Sequence, residues 1–387
     1  MIKNKELEIY IHIPFCVKKC AYCDFLSGPQ NAETRENYVC KLIEEIYAYK
    51  GNEDFVKNNQ VTSVFLGGGT PSILEGRQIT RIFDALKVCF GIADHAEITI
   101  EANPGTITVE KLKAYKQCGI NRISFGLQSA NNEELNLLGR IHTYEEFLES
   151  YRMARMCDFD NINVDLISAI PKQTVKSWEE TLQKIIQLNP EHISAYSLIV
   201  EEETPFAKVY GEGCPGEKEL PSEETERAIY YRTEELLLRS GYHRYEISNY
   251  AKAGKECRHN LGYWERKDYL GIGLGSASLV DNVRFKNTDD LLFYLEHASD
   301  LGAIRENVEQ LSVKEQMEEF MFLGLRKIEG VSISEFENAF ARSMEECYGK
   351  QIRVLIEQGL LRLKDGRLKL TKRGVDVSNY VFSEFLQ

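Results

Sequence analysis

The stretch that decides the fold is YIHIPFCVKKCAYCDF, which runs from Tyr10 to Phe25. It places Cys16, Cys20 and Cys23 within eight residues, in a loop that follows an apolar, β-branched segment. Thiolates are the soft ligands that iron–sulfur clusters take. Three thiolates bind three irons of a 4Fe–4S cubane and leave the fourth iron open. The spacing therefore predicts a cluster site at the end of a strand.

Zinc and unligated thiols are the alternatives for this loop. Structural zinc takes four ligands, typically in paired Cys-x-x-Cys or Cys/His sets, and no second pair lies near in the sequence. The open iron of a cluster can chelate the amino and carboxylate groups of S-adenosylmethionine (SAM). One electron from the cluster can then break the sulfonium bond, and this chemistry belongs to the cofactors. The Cys-x3-Cys-x2-Cys spacing favours the cluster.

Outward from this loop, β-branched strand segments alternate with segments of helical spacing. The predicted strands are Glu8–Ile13, Val61–Leu66, Glu97–Glu101, Asn121–Phe125, Asn161–Ile167 and His192–Val200. The predicted helices are Glu33–Lys50, Arg77–Cys89, Val109–Gln117, Tyr144–Met156, Val175–Gln187 and Glu223–Arg239. Thr108, Thr143 and Ser222 are capping residues that precede three of them. Six alternations indicate an α/β fold with a parallel sheet, as a partial open barrel or a doubly wound sheet.

Polar and glycine residues follow these strands, where the chemistry of such folds is expected. Gly67-Gly68-Gly69-Thr70-Pro71 comes after the second strand, and such glycines let a backbone approach a ligand or simply form a tight turn. Glu101 ends the third strand, and its carboxylate could accept hydrogen bonds from a ribose or an ammonium group. Gln128, Arg140 and Asp165 lie at or past other strand ends. Together they suggest a polar pocket.

The pattern changes after residue 242. We expect a connecting region over residues 243–310 and a small separate domain over 311–387. In the latter, helical spacing covers Val313–Arg326, Ser334–Arg342 and Met344–Gln358, and Leu360–Leu370 alternates around an Asp-Gly turn. Helices followed by a hairpin suggest a winged-helix-like domain, for which we favour a lid or docking role. Gly271-Ile-Gly273-Leu-Gly275 lacks a βαβ unit and the final spacing of a dinucleotide fingerprint.

Composition limits the partners. The formal net charge of −13 argues against a nucleic-acid substrate. No run of about 18 apolar residues predicts a transmembrane helix, and the N-terminal MIKNKELEIYIHIP is unlike a signal peptide. Ten cysteines without a secretion signal suggest a reducing, cytoplasmic location. Cys40, Cys89, Cys118, Cys157 and Cys347 are expected to be small buried apolar residues.

The cysteine loop resembles the signature of the radical SAM superfamily, and four further motifs sharpen the match. Tyr-x-His-Ile-Pro-Phe-Cys at 10–16, Gly-Gly-Gly-Thr-Pro at 67–71, Ser-Phe-Gly-Leu-Gln at 124–128 and Asn-Val-Asp-Leu-Ile at 163–167 resemble the oxygen-independent coproporphyrinogen III oxidase family. The likeness covers nearly the whole chain, including Glu319–Arg326. It implies a partial (β/α)6 radical SAM barrel, a 4Fe–4S cluster and SAM. The SAM contacts that it implies are Tyr10, Tyr22, Gly68, Gly69, Thr70, Glu101, Gln128, Arg140, Asp165 and the backbone near Ile199.

Two departures resemble a sister branch, the HemW-type haem chaperones. The oxidases usually carry a further cysteine where this chain has Phe25, and they have a longer segment ahead of the cluster loop, where only fifteen residues precede Cys16. The branch also has a His-Asn-x-x-Tyr-Trp motif, present here from His259 to Trp264. Histidine is a common axial ligand to haem iron, and the two aromatic residues could pack on a porphyrin. Cys257 is a second possible ligand. The alternative interpretation of the motif is structural: a loop histidine hydrogen-bonded to the backbone, with two aromatic residues that cover an edge of the core.

Two functions follow from the resemblance. The first is a haem chaperone that binds haem as cargo through His259 and delivers it to a haem-requiring acceptor protein. The second is the oxidative decarboxylation of coproporphyrinogen III to protoporphyrinogen IX. A radical SAM enzyme acting on RNA is a weaker third reading. Either leading function implies an electron donor such as flavodoxin or ferredoxin, and delivery could take place at a membrane surface.

Overall fold

The central element of the computed structural model is a curved sheet whose six parallel strands follow one another in chain order. The structure describes residues 5–386. Met1–Asn4, which belong to the predicted N-terminal segment and to the predicted domain 1–242, lie outside the described residues. Gln387, the last residue of the predicted domain 311–387, also lies outside them. The parallel strands are β1 (Lys5–Ile13), β2 (Asn59–Gly68), β3 (Gly91–Ala102), β4 (Arg122–Gln128), β5 (Ile162–Ser168) and β6 (His192–Ser197). A doubly wound sheet would reverse its strand order, and the sequential order excludes it.

The helices that connect these strands form the outer layer. They are α1 (Ala32–Ala48), α2 (Glu53–Asn58), α3 (Gly76–Cys89), α4 (Val109–Cys118), α5 (Asn132–Leu137), α6 (Tyr144–Met156), α7 (Val175–Leu188), α8 (Ala207–Tyr210) and α9 (Glu223–Arg239). The predicted caps are confirmed, since the hydroxyls of Thr108, Thr143 and Ser222 each accept a first-turn backbone N–H. The predicted sixth strand was three residues too long, because its partner β5 ends at Ser168, which pairs with Ser197.

The inner face of the sheet is concave. Side chains from all six parallel strands line one cavity of about 200 Å³, and they include Tyr10, Phe65, Glu101, Ser124, Asp165 and Ser194. A flat sheet could not bring the first and sixth strands to one cavity. The predicted α/β class and partial (β/α)6 barrel are therefore confirmed.

Residues 243–310 extend this sheet at both edges. Beside β6 lies β8 (Asn249–Ala251), which is antiparallel to it, and beyond β8 lies β7 (His243–Arg244), which is antiparallel to β8. Beside β1 lies β9 (Tyr269–Ile272), which is parallel to it. The other elements of this region are α10 (Arg258–Trp264), β10 (Ala277–Val280), β11 (Val283–Asn287), α11 (Leu291–His297), α12 (Leu301–Ile304) and β12 (Arg305–Gln310).

The C-terminal unit has its own apolar core, which includes Met321, Phe336, Leu355 and Leu368. Its elements are α13 (Val313–Gly324), β13 (Val331–Ser332), α14 (Ile333–Phe340), α15 (Met344–Glu357), β14 (Leu361–Lys364), β15 (Arg367–Leu370), α16 (Lys372–Asp376) and α17 (Ser378–Ser383). Three helices followed by the β14–β15 hairpin give the predicted winged-helix-like arrangement. Among residues 5–386, no helix is long and apolar enough to cross a membrane.

A buried carboxylate joins α1 to the strands added beside β1. Glu45 is fully buried and accepts hydrogen bonds from the backbone N–H of Gly273 (2.9 Å), Asn287 Nδ2 (2.7 Å) and the Tyr294 hydroxyl (2.6 Å). Burial raises its pKa to about 7, against the lowering effect of these donors. Three donors from one later segment therefore meet on a single side chain, and Asn287 Nδ2 also donates to the carbonyl of Gly273 (3.0 Å).

Replacing Glu45 by Ala should lower the free energy of unfolding by roughly 3 kcal/mol or more, because each buried donor left without an acceptor costs about 1–3 kcal/mol. Urea denaturation followed by circular dichroism measures this loss. Glu44→Ala is the matched control, since the adjacent Glu44 is exposed and pairs with the nearby Lys41. Equal stabilities for the two variants would contradict the role given to Glu45.

Candidate functional site

The cysteine loop is held against the end of β1 by backbone hydrogen bonds. The N–H of Cys16 donates to the carbonyl of Gly28 (3.0 Å), and the N–H of Gly28 donates to the carbonyl of Pro14 (3.1 Å). Farther along, the N–H of Ala21 donates to the carbonyl of Leu138 (3.2 Å). The loop is thus closed at its base and attached to the segment after β4.

Polar groups from other strand ends point at two of the three sulfurs. The Thr70 hydroxyl donates to Cys16 Sγ (3.4 Å), and Arg140 Nη1 donates to Cys20 Sγ (3.3 Å). Burial raises the pKa of the Cys23 thiol, and the nearby sulfurs of Cys20 and Cys16 raise it further. All three thiols are half-buried and free of disulfides.

This donor set suits a 4Fe–4S cluster, in which each thiolate binds a different iron. Across residues 5–386, no three His, Cys, Asp or Glu side chains are grouped closely enough to hold one metal ion. At Gly69, a Cβ would lie 2.7 Å from the carbonyl of Phe15 and 3.0 Å from Cys16 Sγ. The glycine loop therefore packs directly against the cysteine loop, and a side chain there would displace the sulfur.

Gly68 and Glu101 form the next part of the site. Gly68 has φ of 112°, a left-handed conformation, and its N–H donates to Glu101 Oε2 (3.1 Å). Burial, together with the neighbouring Asp165 carboxylate, raises the pKa of Glu101 to about 8. A cation bound between these two carboxylates would favour their ionised forms.

Asp165 is fixed by a ladder of polar side chains on the inner face of the sheet. The Ser124 hydroxyl donates to its Oδ2 (2.7 Å), and Asn163 Nδ2 donates to its Oδ1 (2.8 Å). The Asn163 oxygen in turn lies 2.6 Å from His192 Nδ1. Since these partners occupy adjacent strands, the carboxylate is oriented before any ligand binds.

Arg140 connects the cysteine loop with two strand ends. Besides Cys20, its guanidinium donates from Nη2 to Asn103 Oδ1 (2.7 Å) and to the carbonyl of Gly126 (2.6 Å). It also hydrogen-bonds Tyr22. Gln128, beyond Gly126, adopts φ of 76°, an uncommon conformation for a residue other than glycine.

The predicted SAM residues are brought together to different degrees. Tyr10, Glu101 and Asp165 line the cavity inside the barrel. Thr70 and Arg140 line a smaller cavity of about 20 Å³ beside Cys20. The Ile199 side chain is 69% exposed and lines neither cavity.

Sequence reasoning missed several side chains of the site. Arg122 is buried at the start of β4 and lines the barrel cavity, yet its Nε has no hydrogen-bond partner. A charged residue inside an apolar strand segment was the available signal. Asn103, Ser124 and Asn163 carried no comparable signal, because each is an ordinary turn or strand residue by itself.

His259 lies inside the barrel, in α10, with its ring nearly fully buried. Its Nδ1 is 2.8 Å from the Ser63 hydroxyl and its Nε2 is 3.1 Å from the Tyr263 hydroxyl. Burial, together with the charge of Arg122, lowers the pKa of His259 to about 3. Burial raises the pKa of Glu8, whose Oε2 lies 3.7 Å from Nδ1, to about 9. Both groups are neutral at pH 7, so their contact is not an ion pair.

The neighbouring residues of this motif are also packed. The Tyr263 ring meets Tyr269 edge-on with centroids 4.7 Å apart, and the Trp264 ring stacks under the guanidinium of Arg326 at 4.5 Å. Cys257 is fully buried, its Sγ is 3.5 Å from Glu97 Oε1, and burial raises its pKa to about 12. Coordination of iron by His259 or Cys257 requires these hydrogen bonds to open.

Known proteins resemble this chain over its full length. Residues 10–185 match the radical SAM superfamily and residues 311–377 match the HemN C-terminal domain. The chain is 37% identical to the "Heme chaperone HemW" of Lactococcus lactis, over 99% of this chain and 98% of that protein. It is 36% identical to the protein of that name from Bacillus subtilis, over 97% and 98%. The solved radical SAM enzyme coproporphyrinogen III oxidase (HemN) of Escherichia coli superposes with a TM-score of 0.86 at 24% identity, over 99% of this chain and 90% of that one, a likeness that shows the fold.

Replacing any one of Cys16, Cys20 or Cys23 by Ala should abolish assembly of a normal 4Fe–4S cluster, because a cubane iron loses its thiolate ligand. Anaerobic reconstitution with iron and sulfide, followed by absorption and electron paramagnetic resonance spectra, measures the cluster content. Cys157→Ala, which removes a half-buried thiol elsewhere, should assemble a full cluster. A triple variant at positions 16, 20 and 23 with an unchanged spectrum would refute the site.

SAM affinity of the reconstituted protein should rise as the pH increases through about 8. Below the pKa of Glu101 the carboxyl is protonated and neutral, whereas above it the carboxylate attracts the sulfonium cation. Isothermal titration between pH 6 and 9 measures the trend. The α-amino group of SAM is itself expected to titrate in this range, so Glu101→Gln serves as the control and should show a shallower rise. Identical profiles for the two proteins would count against a contact with Glu101.

Proposed function

The chain belongs to the HemW family of radical SAM proteins, and we propose that it is a haem chaperone that binds haem and delivers it to haem-requiring proteins. The observation that carries this proposal is identity of 36–37% to two proteins named heme chaperone HemW across essentially their whole length. The likeness to HemN reaches 24% identity and concerns the fold. The exposed Phe25, at the position where the oxidases usually carry a further cysteine, also supports the chaperone.

As a radical SAM protein, the chain uses a 4Fe–4S cluster and SAM. We assign the cluster to Cys16, Cys20 and Cys23, and when bound with SAM it can supply one electron to the sulfonium bond. The contacts of Thr70 and Arg140 would orient two of the thiolates. Hydrogen bonds to a thiolate sulfur also tune the potential of a cluster.

The remaining SAM contacts are assigned to the groups around the barrel cavity. Glu101 and Asp165 would balance the positive charge of SAM, while the backbone at Gly68 and Gly69 would approach it closely. Tyr10, Tyr22, Gln128 and the backbone near Ile199 complete the proposed set. The pocket is preorganised on the protein side, because Ser124 and Asn163 already hold the Asp165 carboxylate.

We assign His259 as the haem-iron ligand. In the ligand-free arrangement its nitrogens are satisfied by Ser63 and Tyr263, so binding would begin with movement of α10 or of the ring. This competition suits a haem carrier. Because the bond between His259 and the haem iron would replace hydrogen bonds inside the protein, haem would be released more readily to an acceptor protein.

The proposed partners follow from the same chemistry. The cluster requires a one-electron donor such as flavodoxin or ferredoxin, and Lys18 and Lys19 are exposed on the cysteine loop where such a protein would dock. The acceptor is a haem-requiring protein, which could be met at a membrane surface. We place the protein in the cytoplasm, since its ten cysteines are free of disulfides. The net charge of −13 supports the proposal that nucleic acid is not a partner.

Titration with haem should give a stoichiometric complex, and His259→Ala should weaken binding and shift the Soret band, because the axial ligand is lost. Ser63→Ala is the matched control: it removes the hydrogen bond to Nδ1 but keeps the imidazole, so its Soret band should match that of the natural protein. His95→Ala removes an exposed imidazole and should change nothing.

An unchanged spectrum and affinity for His259→Ala would remove the ligand assignment and leave haem binding in place. A second experiment tests the chaperone function itself. Reconstituted protein incubated anaerobically with SAM, a reductant and coproporphyrinogen III should form no protoporphyrinogen IX. Product at catalytic turnover would identify an oxidase.

A further inference from the structure

A cleft of about 300 Å³ separates the barrel from the C-terminal unit. One wall comes from α9 and the segment 244–247, and the other from the residues after α13, the β14–β15 hairpin and α16. Its cationic lining residues are Arg244, Arg326, Lys327, Arg362 and Lys372. Glu234 is the acidic residue among the lining side chains that the structure describes. Arg244 pairs with Glu234, and Lys327 pairs with Glu265 and Glu329. The local excess of positive charge, in a protein with a net charge of −13, therefore comes from Arg326, Arg362 and Lys372.

Arg326 is the central cation of the cleft. Its guanidinium carbon lies 4.5 Å from the centroid of the Trp264 ring and 5.8 Å from that of Phe382. Its Nε is buried without a hydrogen-bond partner. Glu246 acts on it electrostatically from beyond ion-pair distance, and within residues 5–386 no carboxylate oxygen lies within 4.0 Å of it. Stacking thus fixes the plane of the guanidinium while its hydrogens remain available.

Two further buried donors near Arg326 lack acceptors among residues 5–386. These are Arg244 Nε, in the same cleft, and Trp264 Nε1. Guanidinium and indole N–H groups can only donate, and buried donors are nearly always paired in folded proteins. Arg326 and Arg244 therefore bring to the cleft donors that oxygen atoms of a ligand would satisfy, while Trp264 lies outside its lining.

The rim of the cleft is cationic and accessible, and its lining is partly apolar. Arg362 and Lys372 are exposed. Lys372 lies over the Tyr231 ring at 3.8 Å. The apolar lining residues are Ile247, Leu325, Ile328, Leu370 and Val375. Such a surface favours an anion that also carries a large apolar part over a simple inorganic ion.

Building on the proposed function, we infer that this cleft binds the two propionate carboxylates of haem, with Arg326 and Arg362 as the donors. Arginine forks match carboxylates in a bidentate geometry. The cleft volume of about 300 Å³ is at the lower limit for ligand pockets. Only the edge of haem that carries the two carboxylates therefore enters the cleft, and the porphyrin ring lies across the apolar part of its mouth. The site recognises the carboxylates and does not depend on which side chain binds the iron.

The His259–Trp264 motif supports this placement. His259 lies near the start of α10 and Trp264 at its end. Five residues of helix correspond to a rise of about 7.5 Å. One short helix thus joins the proposed iron ligand in the barrel to the ring that supports Arg326 at the cleft.

The test compares haem with haem dimethyl ester, which has the same ring and iron but neutral side chains. The natural protein should bind haem at least about tenfold more tightly than the ester, since hydrogen bonds between charged groups are the strong ones. Raising the salt concentration should weaken haem binding and leave ester binding unchanged. Quenching of tryptophan fluorescence and the Soret band report affinity and iron ligation separately.

The variants locate the carboxylate site. Arg326→Gln and Arg362→Gln should each reduce the preference for haem over the ester, by about tenfold and about threefold, without moving the Soret band. Arg362 makes no hydrogen bond or ion pair with the described residues, so its replacement tests the cleft even where Arg326→Gln disturbs folding. Arg353→Gln is the control, because Arg353 pairs with Glu345 on the exposed side of α15.

The outcomes separate the two proposals. Loss of the preference in both cleft variants but not in Arg353→Gln supports the cleft. Equal binding of haem and ester, or an undiminished preference in both cleft variants, overturns the cleft while haem binding stands. Failure of the natural protein to bind either compound overturns the proposed function, and the cleft assignment with it.

Discussion

The guanidinium of Arg140 holds the cysteine loop in position against the ends of the strands. It contacts Cys20 Sγ, an asparagine after β3 and a backbone carbonyl of β4 at once. Hydrogen bonds from a charged donor are short and strong, and here they join elements that are distant in sequence. The distance between the proposed cluster and the barrel cavity is therefore set by one side chain whose partners belong to different strands.

The charge of the barrel interior changes with depth. Near the strand ends, Glu101 and Asp165 form an acidic pair that suits a cationic ligand. Deeper inside, Glu8 and His259 have pKa values of about 9 and about 3, so both are uncharged and joined through hydroxyl groups. Arg122 lies between these regions and lowers the pKa of His259 further. A cationic group of a ligand would thus be favoured near Glu101 and Asp165, whereas an anionic group would be favoured near Arg122.

Much of this architecture could be predicted from sequence, because alternating strand and helix patterns are local. The six parallel strands and the six longer helices between and after them were predicted to within a few residues, apart from the N-terminal half of β3, whereas the short helices α2, α5 and α8 were not predicted. The strands β7–β12 were not predicted, since they are short and gain stability from pairing with distant strands. The position of His259 was missed for the same reason. Its partner Ser63 lies 196 residues away, and such a contact leaves no mark on the residues around the histidine. The cleft around Arg326 also arises only when the two units meet.

The placement of β1 has a kinetic consequence. This strand is made before both of its neighbours, yet it lies inside the sheet between β2 and β9. At about 5–20 residues per second, roughly 13–50 s pass between synthesis of β1 and of β9. During that interval one edge of β1 has no native partner, and exposed strand edges promote association with other chains. The nascent protein thus depends on protection of this edge until residue 272 has left the ribosome.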